Sequence, residues 1–126
     1  MLTLGSLFDG IGGWQLAAQH AGVKPLWSSE IDEYPAEVTK IRFPETEQLG
    51  DVTKLDGAEL PSVDIICAGS PCQDLSIAGK REGLKGERSG LFRNAIDIVH
   101  EMRKSTGGEI PAVLCMGKRY WSTYFK

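Results

Sequence analysis

The sequence predicts an α/β domain built on a mostly parallel sheet with flanking helices. Three observations carry that prediction. Short β-rich runs alternate with helical patterns along the chain, as in βαβ units. The run "VDIICAG" (63–69) is apolar and β-branched, which suits a strand buried on both faces. A glycine-rich turn, "DGIGG", directly follows the first apolar run. With 126 residues the chain has material for one domain.

The elements follow in order. "LTLGSLF" reads as the first strand, ended by the glycines. Trp14 to Ala21 is alanine-rich and helical in pattern, with Gly22 as its stop. "VKPLWSSEI" is the second strand. Asp32 is placed to cap a helix through "EYPAEVTKIRF", Pro35 being tolerated in the first turn and Pro44 closing it. Asp51-Val52 falls in a short connection at the tip of a third strand. After the fourth strand, residues 69–90 carry five glycines and read as a long loop, a kind that commonly serves function. Leu91, Ala95, Ile98 and Met102 then share one helical face, and "PAVLCM" opens a fifth strand.

Composition is that of a globular protein, with 41% apolar and 25% charged residues. No apolar stretch is long enough to span a bilayer, and "MLTLGSLFDG" lacks the features of a secretory signal. Cys67, Cys72 and Cys115 have no metal-site spacing and read as reduced cytoplasmic thiols. The net charge of −3 excludes a polycation that coats nucleic acid. Between Lys80 and Arg93, however, five cations stand against Glu82 and Glu87. Such a stretch is either a solvated loop or a phosphate-contacting one.

In open parallel sheets, ligands bind at the carboxyl ends of the strands. Gly10, Gly12 and Gly13 fall there, in a G-x-G-G pattern that only partly matches a pyrophosphate-binding turn. Glu30 ends the second strand about 20 residues on, the offset at which an acid accepts hydrogen bonds from ribose hydroxyls. Its alternative is an exposed strand-end carboxylate. Asp51 is either a turn cap or a third contact. In that order, the three features point to an adenosine-containing ligand.

"GSPCQDLS" (69–76) places Cys72 just beyond the fourth strand, behind the rigid Pro71. No histidine lies near in sequence, which disfavours a Cys-His protease. A thiol beside a nucleoside site suits addition to an electron-poor ring. "LFDGIGG", Glu30-Ile31, "GDV" (50–52), "AGSPCQDLS" and "RSGLF" stand in the order and spacing of DNA cytosine-5 methyltransferases, and the chain resembles that family from Met1 to about Leu114.

The resemblance implies a Rossmann-like fold, S-adenosylmethionine as methyl donor, no metal, and double-stranded DNA with a flipped cytosine as partner. It implies a thiolate adding to cytosine C6 while C5 takes the methyl group. By the same resemblance Cys72 is the nucleophile and Pro71 its positioning neighbour. Phe8, Gly10, Gly12 and Gly13 form the cofactor turn, and Glu30 holds the ribose. Ile31 covers the adenine, Asp51 and Val52 contact its edge, and Leu91 packs on the cofactor. Gln73, Ser76 and Arg88 fall in the loop that closes over DNA in relatives, and Lys80 and Arg81 of the basic stretch are assigned to DNA with them. A prokaryotic or phage-encoded, cytoplasmic enzyme is expected.

Where relatives continue into Glu-Asn-Val, whose carboxyl group protonates cytosine N3, this chain reads "CMGKRYWSTYFK" (115–126). Codons for Met116 to Trp121, read one nucleotide later, permit Trp-Glu-Asn-Val. The expectation is therefore a catalytic-domain part over residues 1–115, an aberrant tail without fixed structure over 116–126, and no target-recognition domain. The isolated chain is expected to bind cofactor weakly and turn over little, or to act with a complementing C-terminal half.

Overall fold

Five strands lie parallel in the order β3-β2-β1-β4-β5. They are β1 (Thr3–Leu7), β2 (Lys24–Ser29), β3 (Glu47–Gln48), β4 (Ile65–Gly69) and β5 (Val113–Gly117). Between them run α1 (Gly13–His20), α2 (Glu33–Arg42) and α3 (Glu87–Ser105). This computed structural model describes residues 1–69 and 87–117, of which 87–92 and 116–117 by their main chain. Among the described residues no helix is long and apolar enough to cross a membrane.

The alternation of each strand sorts its side chains onto two faces. Leu7, Trp27, Ile66 and Ala68 pack with Val52, Val63 and, from α3, Ala95, Ile98 and Met102. The expected helical stripe of α3 is thus the one that meets the sheet. On the other face Leu4 and Cys67 pack with Ala18 of α1. That face also carries a row in register, Ser28, Ser6, Cys67 and Cys115, across four strands. Both faces of β4 are covered, which is why its sequence is apolar without alternation.

Strand order reverses between β1 and β4: the chain steps from β1 to β2 on one side and places β4 on the other. Such a switch point opens a crevice at the carboxyl ends of these two strands. Gly69, the last residue of β4, abuts the β1 exit; a β-carbon there would stand 3.0 Å from the Phe8 carbonyl oxygen. The fold therefore brings the glycine turn and the strand leading to Pro71-Cys72 side by side.

Four local expectations change. The expected loop over 69–90 is shorter, because α3 begins at Glu87. Arg88 is thus in the first turn of a helix, and Leu91 is well inside it. Glu87 and Arg88 are good helix formers, and an acid in the first turn suits the helix dipole. They outweigh Gly90, whose place inside a helix costs about 1 kcal/mol relative to alanine.

Asp32 occupies the N-cap of α2 with extended backbone, but its side chain makes no capping bond. Instead its N–H donates to Glu30 Oε2 at 3.0 Å. β3 is only two residues long, and Asp51 does not stand at its tip but caps a turn of 3₁₀ helix, Val52–Lys54. β5 runs to Gly117, so Met116 and Gly117, assigned by sequence to the tail, pair with Ala68 and Gly69. Residues 118–126 lie outside the described part.

Candidate active site

The β1–α1 turn is wound by positive φ at alternate residues: 55° at Phe8, 61° at Gly10 and 97° at Gly12. For Phe8 this left-handed backbone is unfavourable, on the order of 1–3 kcal/mol. The surrounding structure offsets it, since Phe8 packs against the core. Gly12 could be nothing else, because a β-carbon would run into the Phe43 ring. At Gly10 and Gly13 a β-carbon would meet nothing within 4 Å. Those two glycines border open space, which a ligand approaching the backbone can fill.

Glu30, just past β2, is tied to this turn. Its Oε1 accepts the Gly10 N–H at 2.8 Å and its Oε2 accepts the Asp32 N–H at 3.0 Å. A carboxylate offers about four lone-pair sites, so roughly two remain for a ligand. The Glu30 main chain is fixed in turn by Gln48. That side-chain amide accepts from Glu30 N–H at 3.0 Å and Gly50 N–H at 3.1 Å, and donates to Thr39 Oγ1 at 2.9 Å. Ile31, beside Glu30, is 65% exposed, an apolar side chain left in solvent at the rim of the site.

Asp51 Oδ1 accepts the Thr53 N–H at 2.9 Å and the Thr53 hydroxyl at 2.7 Å. Those two bonds, hydroxyl first, hold its carboxyl below the usual carboxylate range. Both reach Oδ1, so Asp51 caps the turn with one oxygen and keeps Oδ2 for another partner. Val52 is buried in the core. Its side chain can contact no ligand, which leaves its main chain.

Cys67 shows what a strand cysteine does here. Burial pushes its thiol up to about 12, with the neighbouring Cys115 adding to the shift. It is a packing group, not a nucleophile. The pH consequence has a definite sign. The unfolded thiol ionises near 9 and the folded one near 12, so stability present below pH 9 declines as pH rises between those values. Urea midpoints taken at pH 8 and pH 10 should fall, and Cys67→Ala should flatten the decline. An equal decline in the variant would assign it to other groups.

Of the sequence-derived site residues, the structure brings Phe8, Gly10, Gly12, Gly13 and Glu30 together and sets Ile31 beside them, at the carboxyl ends of β1 and β2. Asp51 and Val52 follow β3, and Ser29 links that segment to β2 by donating to the Gly50 carbonyl. Arg88 and Leu91 are placed on α3 by main chain alone. Pro71, Cys72, Gln73, Ser76, Lys80 and Arg81 lie outside the described residues.

A family model described as C-5 cytosine-specific DNA methylase matches residues 2–116. The chain belongs to that family. The C-5 cytosine methylase relatives include the type II methyltransferase M.HhaI of Haemophilus parahaemolyticus, 40% identical over 97 residues, covering 77% of this chain and 29% of the relative. A protein of Escherichia phage P1 named a DNA N-6-adenine-methyltransferase is 37% identical over 103 residues, covering 79% of this chain and 14% of that protein. Among solved structures, a DNA modification methyltransferase encoded in an E. coli prophage superposes with a TM-score of 0.66 at 26% identity, covering 82% of this chain and 30% of that one. The chain thus spans about a third or less of the length of the relatives it matches.

Sequence reasoning missed Gln48, because "EQLGD" reads as a loop and nothing in it shows that one amide ties β2, β3 and α2 together. It also missed Asp9. That residue sits inside the C-5 cytosine methylase glycine turn, 6% exposed, bonded to the fully buried Gln15 of α1. Burial pushes the Asp9 carboxyl up, the Gln15 hydrogen bond opposes the shift, and the charge of Glu30 adds to it. An acid flanked by Phe8 and Gly10, with an amide in the next helix, was the signal available.

Proposed function

We propose that this chain carries the cofactor cradle and the nucleophile of a DNA cytosine-5 methyltransferase, with S-adenosylmethionine as the cradle's ligand. One observation supports this most directly: Glu30 is hydrogen-bonded to the glycine turn, and that turn abuts Gly69, two residues before Pro71-Cys72. A nucleoside site and a loop-borne thiol are thereby neighbours.

The residues present fit an adenosine ligand. Gly10 and Gly13 border open space, Glu30 keeps lone pairs for a ribose diol, and Asp51 Oδ2 and the Val52 main chain are available to an adenine edge. When bound, the donor supplies a methyl group made electrophilic by its sulfonium. Pro71 fixes the approach of Cys72, whose thiolate adds to cytosine C6 and places an electron pair on C5. After C5 has gained its substituent it loses its proton, and β-elimination releases Cys72. General-acid help at cytosine N3, worth about 10²–10⁴-fold, comes in relatives from a Glu-Asn-Val that these 126 residues do not contain. Double-stranded DNA with a flipped cytosine is the proposed substrate, met by Gln73, Ser76, Lys80, Arg81 and Arg88. Leu91 is proposed to pack on the cofactor. A cytoplasmic setting in a prokaryote or phage-infected cell agrees with the free thiols of Cys67 and Cys115.

Radiolabelled methyl transfer to duplex DNA tests the proposal, run on this chain with and without a C-terminal-half polypeptide that supplies the acid. Methylation of cytosine C5 is expected when both are present. Labelled adenine instead, or no cofactor binding by the chain, would overturn it. A milder probe is Gly13→Ala. Gly13 opens α1 and a methyl group there meets nothing, so the substitution should raise stability by about 0.4–1 kcal/mol. If a ligand approaches that backbone, the same methyl should weaken cofactor binding in calorimetry.

A further inference from the structure

Below the glycine turn, three buried oxygens have no hydrogen-bond partner: Ser6 Oγ, Asp9 Oδ1 and Gln15 Oε1. Buried polar groups are nearly always paired, so such a set is a signal. Two of the three can only accept when Asp9 is ionised, so the cluster lacks donors and positive charge. Among the described residues the ion pair found is Lys40–Glu37, remote from this turn, and no lysine or arginine there pairs with Asp9.

Asp9 is also held rigidly. Its N–H donates to the Ser29 carbonyl at 3.3 Å, its carbonyl accepts the Gly12 N–H at 3.1 Å, and its Oδ2 accepts from Gln15 Nε2. It rivets β1, β2 and α1 together inside the turn that borders open space. Glu30, on the opposite side of that turn, binds the Gly10 N–H. The turn is therefore flanked by two carboxyl groups, one fixed in a low-dielectric setting where a charge acts at longer range than in water.

We infer that Asp9 is a specificity-determining residue of the cradle, biasing it toward a positively charged ligand. This rests on the proposal that the cradle takes S-adenosylmethionine. The cationic sulfonium donor is then held more tightly, relative to its neutral thioether product, than the glycines and Glu30 alone would hold it. Charge, rather than the shape of a missing methyl group, gives the preference, so exchange of product for donor is favoured after each turnover.

The test is calorimetry on the full 126-residue chain with S-adenosylmethionine and S-adenosylhomocysteine, comparing the ratio of dissociation constants in the parent chain and in Asp9→Asn. The asparagine keeps the acceptor for Gln15 and removes the charge. The donor-over-product preference is expected to fall about 3–10-fold, the effect of removing one partly screened charge, with both ligands still binding. Should Asp9→Asn fail to fold, the Asp9→Ala/Gln15→Ala pair removes charge and orphaned amide together and carries the same comparison. An unchanged ratio in a folded variant, with both ligands bound, overturns the inference and leaves the cofactor assignment standing. Equal loss of both ligands makes Asp9 a purely structural rivet and also overturns it. If the parent chain binds neither ligand, the cofactor assignment fails and the inference with it.

Discussion

Cys72→Ser, assayed in the presence of a C-terminal-half polypeptide, is expected to lose methyl transfer by about 10⁴–10⁶-fold, the scale of removing a covalent nucleophile, while cofactor affinity stays nearly unchanged. The reasoning runs through the thiol's chemistry. A thiol titrating near 8.5 is partly ionised at neutral pH, and its thiolate is strongly nucleophilic. A serine hydroxyl in the same place is neither. Cofactor binding depends on the turn and Glu30, which the substitution does not touch, so the two measurements should part company. A large fall in cofactor affinity would contradict the assignment.

DNA containing 5-fluorocytosine gives the complementary readout, because the fluorine at C5 cannot leave as a proton does and the adduct persists. That adduct should map to Cys72. Cys67 is the control sulfur that the structure provides: buried in β4 and pushed up to about 12, it should stay unlabelled. An adduct through Cys67 or Cys115, or none at all, would sink the covalent mechanism.

Much of this was legible in the residues, for identifiable reasons. The β-branched run before Gly69 and the alternation of strands and helices fixed the sheet, since burial on both faces leaves no other pattern. The stripe Ala95, Ile98 and Met102 marked the face of α3 that meets it. Glu30 was legible through its distance from the glycines, and the bond between its carboxylate and Gly10 N–H gives that spacing a physical cause. What escaped were features set by tertiary contact. Asp32 has the right residue type for a cap, yet its N–H is drawn to Glu30 and its side chain caps nothing. Val52 looked like a ligand contact and is core. Asp9 and Gln15 meet only because α1 folds back over β1, and a pairing at i, i+6 has no helical or strand period to announce it.

Glu30→Ala should weaken cofactor binding by about 1.5–3 kcal/mol, the worth of hydrogen bonds to a charged group, or roughly 10–150-fold in dissociation constant. Two effects contribute, and they can be separated. The carboxylate would contact the ribose directly, and it also holds the Gly10 N–H at 2.8 Å, keeping the turn in its positive-φ shape. Glu30→Gln retains an oxygen for Gly10 but replaces the second acceptor by a donor. If direct contact dominates, the glutamine variant should lose nearly as much affinity as alanine while melting at the parent temperature. If turn shape dominates, glutamine should bind almost normally and alanine should lose both affinity and thermal stability. Calorimetry beside thermal melts on the same three chains decides between them. Unchanged affinity in Glu30→Ala would remove the ribose role altogether, since no other acid among the described residues bonds to the glycine turn's amides from β2.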